Sequence, residues 1–192
     1  MRTKGRTLAA RELLRRRYRP ARVRVLFVGE APPASGRFFY KADSGLYRAV
    51  RDAFAQAAFF VPTDDFLETF RTRGCYLVDL CGQPVDHLSR KLRAEACLHG
   101  EARLVRTLDQ LHPCAVVTVL RSIGANVRRA EQRADWRGLH IELPYPGRWQ
   151  RHRAAFLRAL VPVLRSLGAT NASLTPKATR VRAQRRNSAT KG

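Results

Sequence analysis

A single carboxylate, Glu30, follows the first long apolar run of the chain and is the residue best placed for acid–base chemistry. The run over 23–28 predicts a buried strand. Gly29 and Glu30 follow it and are expected at the point where the strand leaves the sheet. Two prolines follow, and then the rings of Phe38, Phe39 and Tyr40. Ligands of open α/β sheets bind outside the carboxyl ends of the strands. This order indicates a pocket for a flat ring, the alternative being an ordinary acidic turn with the rings in the core.

Predicted strands alternate with predicted helices along the chain. Apolar runs bounded by Gly, Pro and Ser predict strands over 23–28, 75–80, 115–120 and 139–143. Helical spacing predicts helices over 8–19, 45–58, 64–72, 89–112, 121–134 and 148–167. Ser44 is expected to cap the second of these helices and Ser89 to begin the fourth, with a break near residue 99 and a kink at Pro162. The alternation predicts an α/β fold: a three-layer αβα sandwich with a central four-stranded, mostly parallel sheet, over residues 22–168.

The formal net charge is +22, and most of it lies at the two ends of the chain. Residues 1–24 contain ten Arg or Lys residues against Glu12 alone, and residues 169–192 contain six without an acid. We expect a basic N-terminal helix or arm over 1–21 and a basic, disordered tail over 169–192. One side of that helix is expected to carry Leu8, Leu13 and Leu14, and its other sides Arg15, Arg16, Arg17 and Arg19.

A charge of this size points to a polyanionic partner, and nucleic acid is the commonest one. We expect DNA, double- or single-stranded. Arginine outnumbers lysine and suits phosphate through its planar fork, although a GC-rich genome also raises arginine content. The sequence has neither an apolar run of about eighteen residues nor an apolar signal core after its basic start. We therefore expect an intracellular, cytoplasmic and nucleoid-associated monomer without membrane contact.

The cysteines form no pattern that is typical of a metal site. Cys75, Cys81, Cys97 and Cys114 contain no Cys-x-x-Cys pair, and no Cys and His spacing suggests zinc. Reduced, mostly buried thiols are the expectation. A Walker or dinucleotide fingerprint is also missing, so the sequence predicts neither a metal nor a cofactor.

Residues 29–33 read Gly, Glu, Ala, Pro, Pro and resemble the Gly-Glu-Ala-Pro-Gly motif of the uracil-DNA glycosylase superfamily, in particular of its iron–sulfur branch. Four further landmarks follow in the family's order: the rings at 38–40, the strand that ends in Asp79, the strand at 116–120, and residues 143–146. The resemblance implies the superfamily's fold. It also implies a DNA-repair enzyme that flips a base out of the stack and hydrolyses its N-glycosidic bond, as in base excision repair.

The resemblance implies a role for each matching residue. Glu30 would orient water and stabilise the cationic sugar of the transition state. The base-binding residues would be Ala31, Phe38, Phe39, Tyr40 and Asp79, with one ring stacking on the base and Asp79 reading its edge. The loop before the last helix would press into the duplex. Its DNA-binding residues, with the start of that helix, would be Tyr145, Arg148, Trp149 and Arg151.

Three positions depart from the family pattern. Leu143 replaces the family's catalytic His and cannot stabilise a uracil anion. Asp79 replaces the base-reading Asn, and an ionised carboxylate accepts hydrogen bonds but donates none. It would suit a base edge that donates, such as an exocyclic amine. Of four cluster cysteines, only Cys97 and Cys114 lie near family positions, so no iron–sulfur cluster is expected.

Three functions remain open at this point. The first is a divergent DNA glycosylase that acts on a deaminated or damaged base through Glu30. The second is a catalytically impaired DNA-binding module of the same fold. The third is a different α/β hydrolase or transferase that acts on a nucleoside or nucleotide.

Overall fold

The computed structural model of the protein describes residues 2–59, 65–147 and 149–172, with side chains from Leu8 to Ser166 within those ranges. Its helices are α1 (Arg2–Arg17), α2 (Gly45–Gln56), α3 (Phe66–Thr72), α4 (Arg90–Leu111), α5 (Gly124–Arg133) and α6 (Gln150–Ala172). Its strands are β1 (Val25–Gly29), β2 (Cys75–Asp79), β3 (Ala115–Thr118) and β4 (Leu139–Glu142). Short 3-10 turns, Phe39–Lys41 and Arg121–Ile123, precede α2 and α5.

The four strands form one sheet in the order β2-β1-β3-β4, and every neighbouring pair is parallel. Helix α2 packs against α6, and α4 packs against α5. The predicted class, an α/β three-layer fold around a four-stranded sheet, is confirmed, and the sheet is parallel throughout. Strand β1 lies between β2 and β3, so the residues after β1 emerge at the middle of the sheet's carboxyl edge.

Strand β1 is buried along its whole length because helices cover both faces of a parallel sheet. The ring of Phe27 lies 5.3 Å from that of Phe70, and Phe54 and Phe66 pack edge to face at the same separation. Full burial of such a side chain contributes about 1.5–3 kcal/mol. This aromatic core fixes β1 against α2 and α3 and thereby fixes the loop that carries Glu30.

The serines predicted to begin two helices do so. Ser44 Oγ accepts a hydrogen bond from Tyr47 N at 3.1 Å, and Ser89 Oγ accepts one from Leu92 N at 3.4 Å. Each cap satisfies one of the backbone donors that a helix start leaves without a partner. The cap at Ser89 determines where α4 begins and hence places Arg93 one turn into the helix.

The outer edge of β2 is closed by side chains instead of another strand. The hydroxyl of Tyr40 donates to Leu77 O at 3.1 Å and accepts from Leu77 N at 2.7 Å, and Arg103 donates to the backbone oxygen of Asp79. An open strand edge exposes unpaired backbone groups to other chains. Tyr40 therefore acts as a structural substitute for a neighbouring strand.

The N-terminal helix differs from its prediction in extent and in its buried face. It spans Arg2–Arg17 instead of 8–19. The predicted apolar side is wrong for Leu8 and Leu13, which are exposed, whereas Leu14 packs against the core as expected. The residues it buries instead are Arg11 and Arg15, each 8% exposed. The helix covers the carboxyl end of β2, where Arg15 forms an ion pair with the buried carboxylate of Asp79.

Other boundaries differ by a few residues. Helix α4 is continuous where a break near residue 99 was predicted, because Gly100 lets it pack directly on Leu80. A Cβ at Gly100 would lie 2.3 Å from Leu80 O. Helix α6 contains Pro162 and continues to Ala172. The start predicted for α3 at residue 64 and the tail from residue 173 lie outside the described residues.

None of the helices in the described ranges is both long and apolar enough to cross a membrane.

Candidate functional site: a cleft at the carboxyl edge of the sheet

A cleft of about 710 Å³ opens where β1, β2 and β3 end. Its size falls within the range of small-molecule sites in proteins. The motif loop after β1, the start of α2, the start of α4 and the loop before α6 form its walls. Of the residues predicted for the site, it is lined by Glu30, Ala31, Phe38, Phe39, Asp79 and Tyr145.

Glu30 is held by Arg93 of α4 through two parallel hydrogen bonds. Arg93 Nε donates to Glu30 Oε1 at 2.6 Å, and Arg93 Nη2 donates to Oε2. The carboxylate is 13% exposed, whereas the arginine is 43% exposed. The hydrogen bonds to Glu30 raise the pKa of Arg93. A guanidinium fork of this kind fixes the orientation of a carboxylate as well as its charge.

A pair of buried thiols lies beside this carboxylate. Cys97 Sγ is 3.9 Å from Glu30 Oε1 and 3.7 Å from Cys81 Sγ. Burial raises the pKa of Cys81 to about 12 and also raises that of Cys97, so both remain neutral at ordinary pH. Cys114, which the resemblance paired with Cys97, is exposed before β3 at the opposite edge of the sheet. In the described part of the chain, no group of three or more His, Cys, Asp or Glu could hold a metal ion.

Asp79 ends β2 beside Gly29 and is bound from behind by the N-terminal helix. Arg15 Nη2 donates to Asp79 Oδ2 at 2.8 Å. The other oxygen, Oδ1, has no hydrogen-bond partner among the described residues and would lie 2.9 Å from a Cβ at Gly29. Burial raises the pKa of Asp79, and the guanidinium of Arg15 opposes that effect. Asp79 is therefore part of an ion pair with Arg15, which leaves its other carboxylate oxygen free at the cleft.

The three rings after the motif loop are buried. Phe38, Phe39 and Tyr40 are 1%, 3% and 2% exposed, and the rings of Phe38 and Phe39 pack edge to face on Tyr40 at 5.6 and 5.2 Å. Phe38 and Phe39 line the cleft, whereas Tyr40 lies behind them at the edge of β2. At this burial the rings form the floor of the cleft and present little of their faces to a ligand.

Ala31 also lines the cleft. Its N–H donates to no group in the described part of the chain, and two prolines without N–H groups follow it. The loop is fastened further on, where Ala34 N donates to Asp86 Oδ2 at 3.1 Å. The N–H of Ala31 is thus without a protein partner next to Glu30 in the described part of the chain.

The residues predicted to contact DNA divide into three groups. Tyr145 is exposed and lines the cleft, together with Pro146 and Gly147 of its loop. Trp149 and Arg151 are exposed at the start of α6 but do not line it. Arg148 lies outside the described residues.

Cations surround the mouth of the cleft. Arg37 and Arg48 are exposed at its wall, where Arg48 also donates to Asp43 O at 3.3 Å. Arg153 lines the cleft and forms an ion pair with Asp52. With Arg93, these side chains give the opening a positive rim around the carboxylates within.

A histidine is not among the residues that line the cleft. Leu143, which the resemblance matched to the family's His, is buried and contributes no polar side-chain atom. His140 is occupied elsewhere, with Nε2 2.8 Å from Thr118 Oγ1 and Nδ1 2.9 Å from Glu131 Oε2. The acidic side chains that line the cleft are those of Glu30, Asp79 and Asp86.

Sequence reasoning missed the two arginines that hold the carboxylates. Arg93 is separated from Glu30 by 63 residues, and Arg15 is separated from Asp79 by 64. Arg11 and Arg15 lie one turn apart on one face of α1, which marks that face of the helix but does not link it to Asp79. Arg93 gave no comparable signal, because α4 carries several arginines that are alike in sequence.

No protein-family model matches the chain, and a search of curated proteins finds no significant match.

Proposed function

We propose that this protein binds DNA, takes one unstacked base into the cleft, and hydrolyses the N-glycosidic bond of a deaminated or damaged base. The observation that carries the proposal is the convergence of Glu30, Asp79, Ala31 and the loop of Tyr145 around one cleft of about 710 Å³. These residues come from three separate parts of the chain. Enzymes that act on a base must remove it from the stack and enclose it.

Glu30 supplies the reactive carboxylate in this proposal. As the bond between the sugar C1′ and the base nitrogen breaks, its electron pair goes to the base and positive charge develops on the sugar. Glu30 stabilises that charge and accepts a proton from the water that attacks C1′, and the proton then passes to the departing base or to solvent. Arg93 keeps the carboxylate oriented through its two hydrogen bonds.

The positive rim supports nucleic acid as the partner. Arg37, Arg48 and Arg93 lie at the mouth of the cleft, and the whole chain carries a net charge of +22. Phosphate contacts of this kind supply affinity that is independent of sequence and falls with salt.

A DNA-binding module without catalysis is the second candidate, and two observations favour it. Both oxygens of Glu30 already accept hydrogen bonds from Arg93, so part of the carboxylate's hydrogen-bonding capacity is occupied before a water molecule binds. Leu143 contributes no polar group where the family has its His. In this alternative the cleft holds a base without cutting its bond.

A panel of oligonucleotides separates the two candidates. Each carries one test base (uracil, hypoxanthine, xanthine or an alkylated adenine) in single- and double-stranded form, and abasic sites are revealed by alkaline cleavage. Abasic sites that form with the wild type and vanish with Glu30→Gln support the glycosylase. Salt-dependent binding without abasic sites on any substrate supports the binding module, and absence of both binding and cleavage contradicts the proposal.

A further inference from the structure

One oxygen of Asp79 is free to accept a hydrogen bond from a ligand in the cleft. Asp79 Oδ2 is bound by Arg15 at 2.8 Å, while Oδ1 has no partner among the described residues. Oδ1 lies beside Gly29, and both residues line the cleft. An ionised carboxylate only accepts hydrogen bonds. A ligand that reaches Oδ1 must therefore present a donor.

Arg15 is itself held in place on several sides. Its Nη1 donates to Glu12 Oε2 at 2.6 Å, and its guanidinium lies 5.4 Å from the centre of the Phe38 ring. The residue is 8% exposed. Arginine keeps its positive charge in proteins. Because the guanidinium of Arg15 lies 2.8 Å from Asp79 Oδ2, its charge favours the ionised form of Asp79 and opposes the effect of burial. Arg103 adds a second positive charge by donating to the backbone oxygen of Asp79.

Gly29 gives Oδ1 the room that it occupies. Strands β1 and β2 pair in register at Gly29 and Asp79, so the two residues lie side by side. A Cβ at position 29 would lie only 2.9 Å from Oδ1. The glycine that ends β1 is thus required by the close approach of the carboxylate.

We propose that Arg15 is a specificity-determining residue, which holds Asp79 as an acceptor so that the cleft selects bases with an exocyclic amino group. This inference rests on the proposed function, and it narrows the substrates to damaged or misplaced bases of the adenine or cytosine type. The deaminated counterparts present a carbonyl at the same atom, and a carbonyl facing Oδ1 leaves two acceptors opposed. Arg15 acts through Asp79 and does not touch the base.

Two comparisons between matched bases test the inference directly. Cytosine and uracil differ by an amino group against a carbonyl, and so do adenine and hypoxanthine. Each is placed in a fluorescently labelled oligonucleotide as its 2′-fluoroarabino nucleotide, whose glycosidic bond resists hydrolysis, and affinities are measured by anisotropy. The wild type is expected to bind the amino member of each pair about 10- to 100-fold more tightly, the effect typical of a hydrogen bond to a charged group.

Variants of Asp79, Arg15 and Arg16 locate the cause. Asp79→Asn is expected to remove or reverse the preference, since a carboxamide also donates. Arg15→Met is expected to reduce the preference, with Arg15→Lys as the milder change if the first variant fails to fold. Arg16→Met removes the same charge from the same helix at a side chain that is 73% exposed and should leave the preference unchanged.

The outcomes separate the inference from the function on which it rests. Equal affinity for both members of each pair, or tighter binding of uracil and hypoxanthine, overturns the inference while leaving a base-binding cleft. Affinity that is the same for every base and for an abasic site overturns the proposed function as well. The wild-type comparison decides in either case, even if no variant folds.

Discussion

Tyr40→Phe separates a structural role for this ring from a role in binding. The hydroxyl of Tyr40 makes both a donated and an accepted hydrogen bond with Leu77, at 3.1 and 2.7 Å, in a buried environment. Without it, one backbone N–H and one C=O at the edge of β2 lose their partners. Each buried group left unpaired costs about 1–3 kcal/mol. We expect a loss of about 2–4 kcal/mol in the free energy of unfolding.

Urea denaturation followed by far-UV circular dichroism measures this change. The midpoint should fall while the slope of the transition stays the same, because the surface exposed on unfolding is nearly unchanged. Tyr145→Phe is the matched control. Tyr145 is exposed, so loss of its hydroxyl should change the free energy of unfolding by less than about 0.5 kcal/mol. Below the transition, the folded Tyr40→Phe variant should bind DNA as the wild type does. A loss under about 1 kcal/mol, or weaker binding by the folded variant, refutes this reasoning.

Three further outcomes follow from the site and its supports. Arg15→Met should lower the free energy of unfolding by about 3–5 kcal/mol in the same urea assay, because it leaves Asp79 buried without its ion-pair partner. The control Arg16→Met should lower it by less than about 1 kcal/mol. Equal effects of the two substitutions would contradict a buried ion pair. Gly29→Ala should displace the carboxylate oxygen that lies 2.9 Å from the added methyl, which a weaker base-dependent affinity in the anisotropy assay would reveal and an unchanged one would contradict. With a thiol-reactive disulfide at pH 8, the exposed Cys114 should react rapidly and the three buried cysteines slowly. Burial raises the pKa of the three buried thiols and so lowers the fraction present as the reactive thiolate. Rapid reaction of any buried cysteine would contradict this expectation.

The fold was predictable because its signals are local. Apolar runs bounded by Gly and Pro define each strand within two residues of its observed end, and the serines at 44 and 89 begin the helices that they were expected to begin. The alternation of strands and helices then leaves a parallel sheet as the consistent arrangement. The carboxyl edge of that sheet is where Glu30 and Asp79 were expected to meet, and both line the same cleft.

The partners of the site were not predictable because they are distant in sequence. Nothing in the spacing links Glu30 to Arg93 or Asp79 to Arg15, and helix α1 buries arginines where an apolar face was expected. Tyr40 shows the same limit in another form. An aromatic ring after a motif loop suits a ligand and a strand edge equally well, and only the position of its hydroxyl on Leu77 distinguishes them.

The rate of abasic-site formation under single-turnover conditions tests the central claim most directly. The wild type, Glu30→Gln and Glu68→Gln are compared on the substrate that the oligonucleotide panel identifies; Glu68 is an exposed carboxylate on α3 outside the cleft. The account predicts that Glu30→Gln loses at least about 100-fold in rate, as removal of a general base does, while Glu68→Gln keeps the wild-type rate. A Glu30→Gln variant that forms abasic sites at the wild-type rate would contradict it.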